Sequence, residues 1–286
     1  MKPWVVGIIG GSGLYDIPGL QHPEWLNIES AFGEHSDALL FGGLADVEVR
    51  FLPRHGRGHR LSPTDINARA NIDTLKRAGC TDIVSVSACG SLKEDLHPGT
   101  FVVVDQYIDR TFARPRSFFG PGLVAHVSMA DPVCPRLSSL VAAAARSTGA
   151  TVVEGGTYLA IEGPQFSTRA ESDLYRSWNA SVIGMTGMPE AKLAREAELP
   201  YASLAMVTDY DAWRRTEAAV EVADILAVLR ENADLARETL RCFVEALPAT
   251  RAPSSIDSCL DQAIVTAPTD RDPVMAARLA AILKGR

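Results

Sequence analysis

Residues 5–13 read VVGIIGGSG, in which five residues typical of a buried β-strand run directly into a glycine-rich turn. Similar short β-rich runs recur along the chain, at 47–52, 82–87, 101–105, 158–162, 181–185 and 201–208. Segments with helical periodicity separate several of them, at 65–78, 135–147, 170–178 and 189–197. This alternation predicts an α/β fold with a central mixed, mostly parallel β-sheet flanked by helices.

The C-terminal third is predicted to be mainly helical. The longest helix covers 222–247, where apolar residues recur at three- to four-residue steps until Pro248. Residues 248–273 are rich in proline, serine and aspartate, and a short amphipathic helix at 274–283 follows. Because no internal repeat is found, residues 1–286 are interpreted as a single domain, within which the tail 248–286 differs in composition.

Charge and composition exclude several classes of function. The formal net charge is -7, and the basic residues are spread along the chain, which argues against a nucleic-acid or membrane surface. No apolar run approaches the roughly 18 residues that a spanning helix requires, and the N-terminal apolar stretch is too short for a signal peptide. The 5 cysteines are far apart and include no C-x-x-C pair, so we expect reduced thiols and a cytoplasmic protein.

Three of the predicted strands end in residues suited to binding an anion. Residues 10–13 offer glycine N–H groups and the Ser12 hydroxyl. Residues 53–59, PRHGRGH, offer two parallel hydrogen bonds from Arg54 and a further donor in His55. Residues 87–91, SACGS, are predicted to form a third small-residue turn that begins with Ser87. Since ligands gather at the carboxyl ends of parallel strands, the three segments are predicted to surround one phosphate group.

Each of these segments has a simpler interpretation. The glycine run matches neither a dinucleotide fingerprint, nor a P-loop, nor a nucleophile elbow, and a plain tight turn fits it as well. A strand-to-helix turn fits 87–91. His55 and His59 have the i, i+4 spacing of helical zinc ligands, but two glycines lie between them and no third ligand is evident. We therefore expect no metal.

A purine site is predicted at the end of the run 201–208. There the chain continues as Thr208-Asp209-Tyr210-Asp211, and two carboxyls held close together raise the pKa of one of them. Adenine has an acceptor at N7 beside a donor at N6, so a protonated Asp209 could serve N7 while an ionised Asp211 accepts from N6. The Asp211 carboxylate would then disfavour 6-oxopurines. Helix caps or a cation site fit the same spacing.

An aromatic ring follows at Phe166, in the turn 162–167, where it could stack on a base. By itself, a lone phenylalanine is more often part of a core.

Taken in order, these segments resemble the 5'-methylthioadenosine phosphorylases of the trimeric purine nucleoside phosphorylase family. The matching stretches are GIIGGSGL, PRHGRGH, SACGSL, DQYIDRT, RPRSFF, MADPVCP, IEGPQFSTRAE, MTGMPEAKLAREA and MVTDYDAW, between about Gly7 and Ile225. The resemblance implies a purine nucleoside phosphorylase-like fold and a pentosyltransferase that converts 5'-methylthioadenosine to adenine and 5-methylthioribose 1-phosphate. It also implies a role in purine and methionine salvage, inorganic phosphate as co-substrate, no cofactor, and a homotrimer.

The resemblance assigns roles to individual residues. Phosphate ligands would be Ser12, Arg54, His55, Ser87, Ala88 and Thr186. The purine would be bound by Phe166, Ser167, Met185, Thr208, Asp209 and Asp211, with Asp209 as the catalytic group at N7. The ribose and its 5' group would contact Met185, Val222, Ile225 and a His126 that reaches in from a neighbouring subunit.

Some positions depart from the family pattern or bear on the substrate. Gly187 stands where many relatives carry a threonine beside the phosphate. Ser167 and Asp209 replace the glutamate and asparagine of members that act on 6-oxopurines, and so favour 6-aminopurines. The alternatives left open are a phosphorylase of inosine, guanosine or methylthioinosine, a nucleoside hydrolase, and a non-catalytic nucleotide sensor.

Overall fold

A computed structural model describes residues 3–11, 13–214 and 222–284, and of 222–227 and 229–231 it describes the backbone alone. Within these residues, one mixed, 11-stranded sheet is flanked by helices, which confirms the predicted α/β architecture. The strands are β1 (Val5–Gly10), β2 (Gln21–Leu26), β3 (Leu39–Leu44), β4 (Val47–Pro53), β5 (Asp82–Ser91), β6 (Phe101–Val104), β7 (Gln106–Arg110), β8 (Val152–Glu154), β9 (Thr157–Ile161), β10 (Val182–Gly184) and β11 (Tyr201–Asp209).

The helices lie where the apolar periodicity placed them. They are α1 (Ala68–Arg77), α2 (Pro135–Ser147), α3 (Arg169–Ser177), α4 (Gly187–Glu196), α5 (Val222–Glu245), α6 (Pro273–Arg278) and α7 (Ala280–Leu283). Short 3-10 turns occur at Ser255–Ser258 and Pro268–Asp270. No helix in the described part of the chain is long and apolar enough to cross a membrane.

The centre of the sheet is parallel. β1 pairs in parallel with β4 on one side and β5 on the other, and β11 pairs in parallel with β5. The strand order is β2-β3-β4-β1-β5-β10-β9-β7, with β11 attached to β5, and then β6 and β8. The carboxyl ends of β1, β4, β5 and β11 therefore meet at one edge of the sheet, where a ligand site is expected.

The sheet is covered on both faces because side chains alternate along each strand. In β1, Val6 and Ile8 pack into a cluster with residues of α2 and α5. Ile9 points the other way, into a cluster with residues of α1 and α4. This burial on two faces explains why the central strands read as continuous apolar runs.

The prediction missed four of the strands, namely β2, β3, β7 and β8. β2, QHPEWL, is largely exposed and mostly polar, and β8 is 3 residues long. The tail that differs in composition packs against the rest of the chain, since Leu260, Leu279 and Ile282 are fully buried. Its amphipathic helix is divided into α6 and α7.

Candidate active site

A cavity of about 510 Å³ opens where β1, β4, β5 and β11 end. Its wall contains most of the residues that the sequence singled out, drawn from five separate segments of the chain. Those residues are Arg54, His55, Ser87, Ala88, Phe166, Ser167, Met185, Thr186, Thr208, Asp209 and Asp211. Arg54 and Asp209 thus share one cavity, as the interpretation of the sequence requires.

Four candidate residues are not among the cavity lining. His126 is exposed and lines a different cavity of about 400 Å³, together with Lys192 and Glu196. Ser12 lies outside the described residues, as do the side chains of Val222 and Ile225 near the start of α5.

Arg54 is buried, with 2% of its surface exposed, at the end of the cavity where the sequence predicts phosphate, called here the phosphate end. Its Nε and Nη2 donate to the two oxygens of Glu190 at 3.0 and 3.3 Å, its Nη1 donates to Val86 O at 2.9 Å, and Nη2 also contacts Ser85 Oγ at 2.6 Å. The expected two-pronged contact is therefore made to a carboxylate and not to a ligand. Among the described residues, one N–H of Nη1 is left for an anion, because a guanidinium nitrogen at that position carries two hydrogens.

His55 is buried beside Arg54, and its ring stacks on that of His59 with 4.2 Å between centroids. Burial lowers the pKa of His55 to about 4, so the imidazole is neutral at neutral pH. Its Nδ1 lies 2.9 Å from Leu61 O and therefore carries the hydrogen, which makes Nε2 an acceptor. A neutral His55 would accept a hydrogen from a protonated phosphate oxygen, whereas the sequence analysis expected it to donate one.

The zinc interpretation of His55 and His59 finds no support in the surroundings of the two rings. In the part of the chain that the structure describes, no three His, Cys, Asp or Glu side chains are grouped as metal ligands.

Ser87 and Ala88 do not lie in a turn, which corrects the prediction for 87–91. β5 continues through this segment to Ser91, because β11 pairs with it up to Gly90 and β10 pairs with Gly90 and Ser91. The main-chain groups of the segment are therefore partly committed to the sheet. Ser87 and Ala88 both line the cavity.

Thr186 is the residue that precedes α4, and its side chain makes no capping hydrogen bond to that helix. The hydroxyl of Thr186 is thus available to a ligand in the cavity. The backbone of Met188 is extended, so the regular turns of α4 begin after it and Thr186 is separated from them.

The two aspartates at the end of β11 are close and differently partnered. Asp209 Oδ1 accepts from the Asp211 N–H at 2.8 Å, and its Oδ2 accepts from the Thr208 hydroxyl at 2.7 Å. A bulge at Val207/Asp209 turns the carboxylate toward Gly90, where a Cβ would lie 2.9 Å from Oδ1. Glycine at 90 is therefore required for this approach.

The carboxyl whose pKa is raised is Asp211, to about 6, mainly by burial and also by the charge of Asp209. The prediction that one carboxyl of the pair has a raised pKa is confirmed, but it was assigned to the other residue. Both oxygens of Asp209 accept hydrogen bonds. The physical reason is the burial of Asp211, which outweighs the Ser172 hydroxyl and the Ala212 N–H that oppose the rise.

The purine end of the cavity contains two polar atoms that make no hydrogen bond within the described residues. They are Asp211 Oδ2 and Ser167 Oγ, both buried. Ile161 and Ile183 provide apolar walls, and Phe166 is 44% exposed at the entrance. An acceptor and a hydroxyl set among apolar walls match the polar edge and the flat face of a purine.

A buried ion pair that the sequence analysis did not single out holds this end of the cavity together. Arg114 donates from Nε to Glu162 Oε1 at 2.9 Å, and from Nη1 to the main-chain oxygens of Met185 and Met188 at 2.5 and 3.0 Å. The N–H groups of Phe112 and Ala113, with Thr64 and Arg114, lower the pKa of Glu162 to about 2 despite burial. The available signal was a charged residue beside an apolar run in both RPRSFF and IEGPQF.

Comparison with known proteins gives consistent results over nearly the whole chain. A family model described as the phosphorylase superfamily matches residues 5–245. The S-methyl-5'-thioadenosine phosphorylase of Cereibacter sphaeroides is 58% identical over 280 residues, which cover 97% of each chain. That of Bradyrhizobium diazoefficiens is 56% identical over 284 residues, which cover 99% of this chain and 98% of the relative.

Comparison with solved structures also finds methylthioadenosine phosphorylases. A methylthioadenosine phosphorylase from an Antarctic soil metagenomic library superposes with a TM-score of 0.92 at 46% identity, covering 98% of this chain and 99% of the other. The methylthioadenosine phosphorylase of Schistosoma mansoni in complex with adenine gives a TM-score of 0.80 at 35% identity, covering 99% of each chain.

Proposed function

This chain belongs to the phosphorylase superfamily, and on that premise we propose that it cleaves 5'-methylthioadenosine with inorganic phosphate, giving adenine and 5-methylthioribose 1-phosphate. The observation that carries the proposal is that a single cavity has two chemically different ends. One end presents Arg54, His55, Ser87 and Thr186, and the other presents two unpaired polar atoms between apolar walls. The activity is that of a pentosyltransferase in purine and methionine salvage.

Phosphate is held where its oxygen can approach the sugar carbon that bears the base. Candidate ligands are the remaining N–H of Arg54, the hydroxyls of Ser87 and Thr186, and Nε2 of His55, which accepts a phosphate hydrogen. Ser12 and Ala88 complete the proposed set. Since Glu190 and neighbouring oxygens of the sheet engage most donors of Arg54, much of the binding rests on hydroxyl and amide groups. Fixing the nucleophile in this way supplies a large part of the acceleration.

The purine is bound at the other end by Phe166, Ser167, Met185, Thr208, Asp209 and Asp211. The 6-amino group of adenine donates to Asp211 Oδ2, which has no partner within the described residues. The face of the base stacks on Phe166, and Met185 lies beneath the ribose. An ionised Asp211 places an acceptor opposite position 6, so a 6-oxo group would meet it unpaired.

Asp209 acts on N7 of the leaving base. As a phosphate oxygen bonds to C1' and the C–N bond breaks, the electron pair of that bond leaves with the purine. Asp209, having taken up a proton from solvent, passes it to N7 and neutralises that charge. The Thr208 hydroxyl lies 2.7 Å from Asp209 Oδ2 and 3.2 Å from Cys89 O. Turning this hydroxyl to Cys89 O would free Oδ2 to carry a proton toward N7. The reaction needs no metal or organic cofactor.

The test is product analysis with methylthioadenosine, with and without phosphate. We expect adenine and a sugar 1-phosphate only when phosphate is present. Asp209→Asn should lower kcat by about 10²-fold or more while the variant stays folded, because general-acid contributions are of that size. Release of adenine without phosphate would indicate a hydrolase, and no release at all a sensor. Near-normal turnover by Asp209→Asn would rule out the proposed acid.

A 6-oxopurine nucleoside phosphorylase is the second candidate. The raised pKa of Asp211, about 6, favours it at low pH, because a protonated Asp211 would donate to O6. Comparing kcat/KM for inosine and methylthioadenosine at pH 7.5 decides between the two. A preference for inosine would overturn the assignment of Asp211.

We also propose a homotrimer in which His126 enters the active site of a neighbouring subunit. There it would lie beside the 5' group of the nucleoside, in the pocket that Val222 and Ile225 are proposed to line. The position of His126 supports this, because the residue is exposed and does not line the active-site cavity of its own chain. Its segment is held by the tail, through an Ala125/Ile264 bridge and a bond from His126 N to Ala263 O. A cytoplasmic location, suggested by 5 cysteines that form no disulfide, belongs to the same proposal.

A further inference from the structure

A tyrosine lies directly behind the phosphate end of the cavity. Tyr158, in β9, is fully buried, and its hydroxyl fills the space next to Gly184, a residue of the cavity wall. A Cβ on Gly184 would lie 1.9 Å from the Tyr158 hydroxyl oxygen. Glycine at 184 therefore leaves the room that this hydroxyl occupies.

The hydroxyl of Tyr158 faces two of the proposed phosphate ligands. Burial raises the pKa of Tyr158, and the Ser87 hydroxyl and the Thr186 main-chain N–H beside the phenol oxygen oppose that rise. Among the described residues, however, no group completes a hydrogen bond of good geometry with this oxygen. A buried hydroxyl without a partner costs stability, and a phenylalanine would fill the same volume without that cost.

A second tyrosine allows a matched comparison. Tyr107 packs against Tyr158 with 5.5 Å between ring centroids, and its hydroxyl is also buried without a partner in the described chain. That hydroxyl faces Ser203 and Tyr201, which do not line the cavity. The two hydroxyls thus share burial and lack of partners, and differ in whether they face the phosphate end.

The same two rings occupy the space beside residue 187. A Cβ on Gly187 would lie 2.7 Å from Cε1 of Tyr107 and 3.2 Å from Cε1 of Tyr158. A threonine at this position would displace both rings. In this chain, the two tyrosine rings occupy the space behind the phosphate site that a side chain at 187 would otherwise fill.

We propose that Tyr158 is a positioning residue for phosphate, whose hydroxyl donates to Ser87 Oγ when the anion is bound and so holds the Ser87 hydroxyl toward that anion. The inference rests on the proposed function, since it deepens the account of the same site. It predicts an effect on phosphate alone, because the purine end of the cavity lies across the nucleoside from Ser87 and Thr186.

Tyr158→Phe and Tyr107→Phe test it in the full-length protein. Tyr158→Phe should raise the KM for phosphate about fivefold, equivalent to about 1 kcal/mol, with kcat and the KM for methylthioadenosine changed by less than about twofold. The rise in melting temperature that phosphate causes should shrink in parallel, which gives a readout without catalysis. Tyr107→Phe should leave the KM for phosphate unchanged.

The outcomes separate the two proposals. An unchanged KM for phosphate in a folded Tyr158→Phe, or an equal rise in both variants, overturns the role of Tyr158. If the wild-type protein shows no phosphate-dependent cleavage, the proposed function fails instead. In that case the thermal shift with inorganic phosphate still decides whether Tyr158 supports an anion site, since a shift that is the same in wild type and variant counts against it.

Discussion

At the scale of single residues, the chemistry of the cavity depends on which of two neighbouring carboxyls holds a proton. Asp209 receives an N–H and a hydroxyl, whereas Asp211 Oδ2 receives neither within the described residues. Burial and the neighbouring charge raise the pKa of Asp211 to about 6. Its charge state therefore changes close to neutral pH, and with it the group that position 6 of the purine meets.

The pH dependence of kcat/KM tests this assignment. The ionised form of Asp211 accepts from the 6-amino group, so kcat/KM for methylthioadenosine should fall as pH drops through about 6. Asp211→Asn should lack that step and should discriminate less against inosine, because an amide offers both a donor and an acceptor. Dividing the wild-type profile by that of the variant removes the titration of phosphate itself. A ratio that does not change between pH 5 and 7 would contradict the assignment.

The raised pKa of Asp211 also determines how the stability of the protein changes with pH. Because the folded-state pKa of Asp211, about 6, exceeds the ordinary value of 3.8, the folded protein binds this proton more tightly than the unfolded chain. As pH falls from above 6 toward 4, the free energy of unfolding of the wild type should therefore increase relative to that of Asp211→Asn.

At the scale of elements, a buried ion pair joins α4 to β4. Glu190, in the first turn of α4, accepts two hydrogen bonds from Arg54, which follows β4. It also accepts from Ser85 of β5 at 2.7 Å and from Tyr201 of β11 at 2.8 Å. One carboxylate thus connects the helix that begins beside the phosphate site with three strands of the sheet.

Glu190→Ala should lower the free energy of unfolding by about 3–5 kcal/mol, because it leaves the buried Arg54 charge without its partner. The matched control is Glu48→Ala, which removes the exposed carboxylate paired with Arg50 and should cost less than about 1 kcal/mol. Urea unfolding followed by circular dichroism measures both. Similar losses in the two variants would show that burial does not determine how much the Arg54–Glu190 ion pair contributes to the free energy of unfolding.

At the scale of the whole molecule, the proposed trimer would complete each site with a residue from its neighbour. His126 lies outside the cavity of its own chain, on a segment bound to the C-terminal tail. The tail itself is anchored by buried side chains such as Leu260 and Leu279. Packing of the tail therefore sets where His126 is presented.

Mixed oligomers test this arrangement. His126→Ala should raise the KM for methylthioadenosine about tenfold, equivalent to about 1.4 kcal/mol, while Asp209→Asn should be nearly inactive. Oligomers assembled from both variants, separated by different affinity tags, should regain turnover at the low KM, since some sites then combine an intact Asp209 with a neighbour's His126. Turnover only at the high KM would contradict a contribution across the interface, and sedimentation as a monomer would contradict the trimer.

The chain alone was sufficient to predict the layered α/β fold, the helix bounds within a few residues, and the segments that form the cavity. Apolar periodicity and strand-ending polar residues are local properties, and so they can be read without coordinates. The tertiary structure decided the contacts of those residues: that Arg54 is held by Glu190, that burial raises the pKa of Asp211, and that 87–91 is strand. These depend on burial and on partners up to 136 positions away or across the sheet, and no local pattern specifies them.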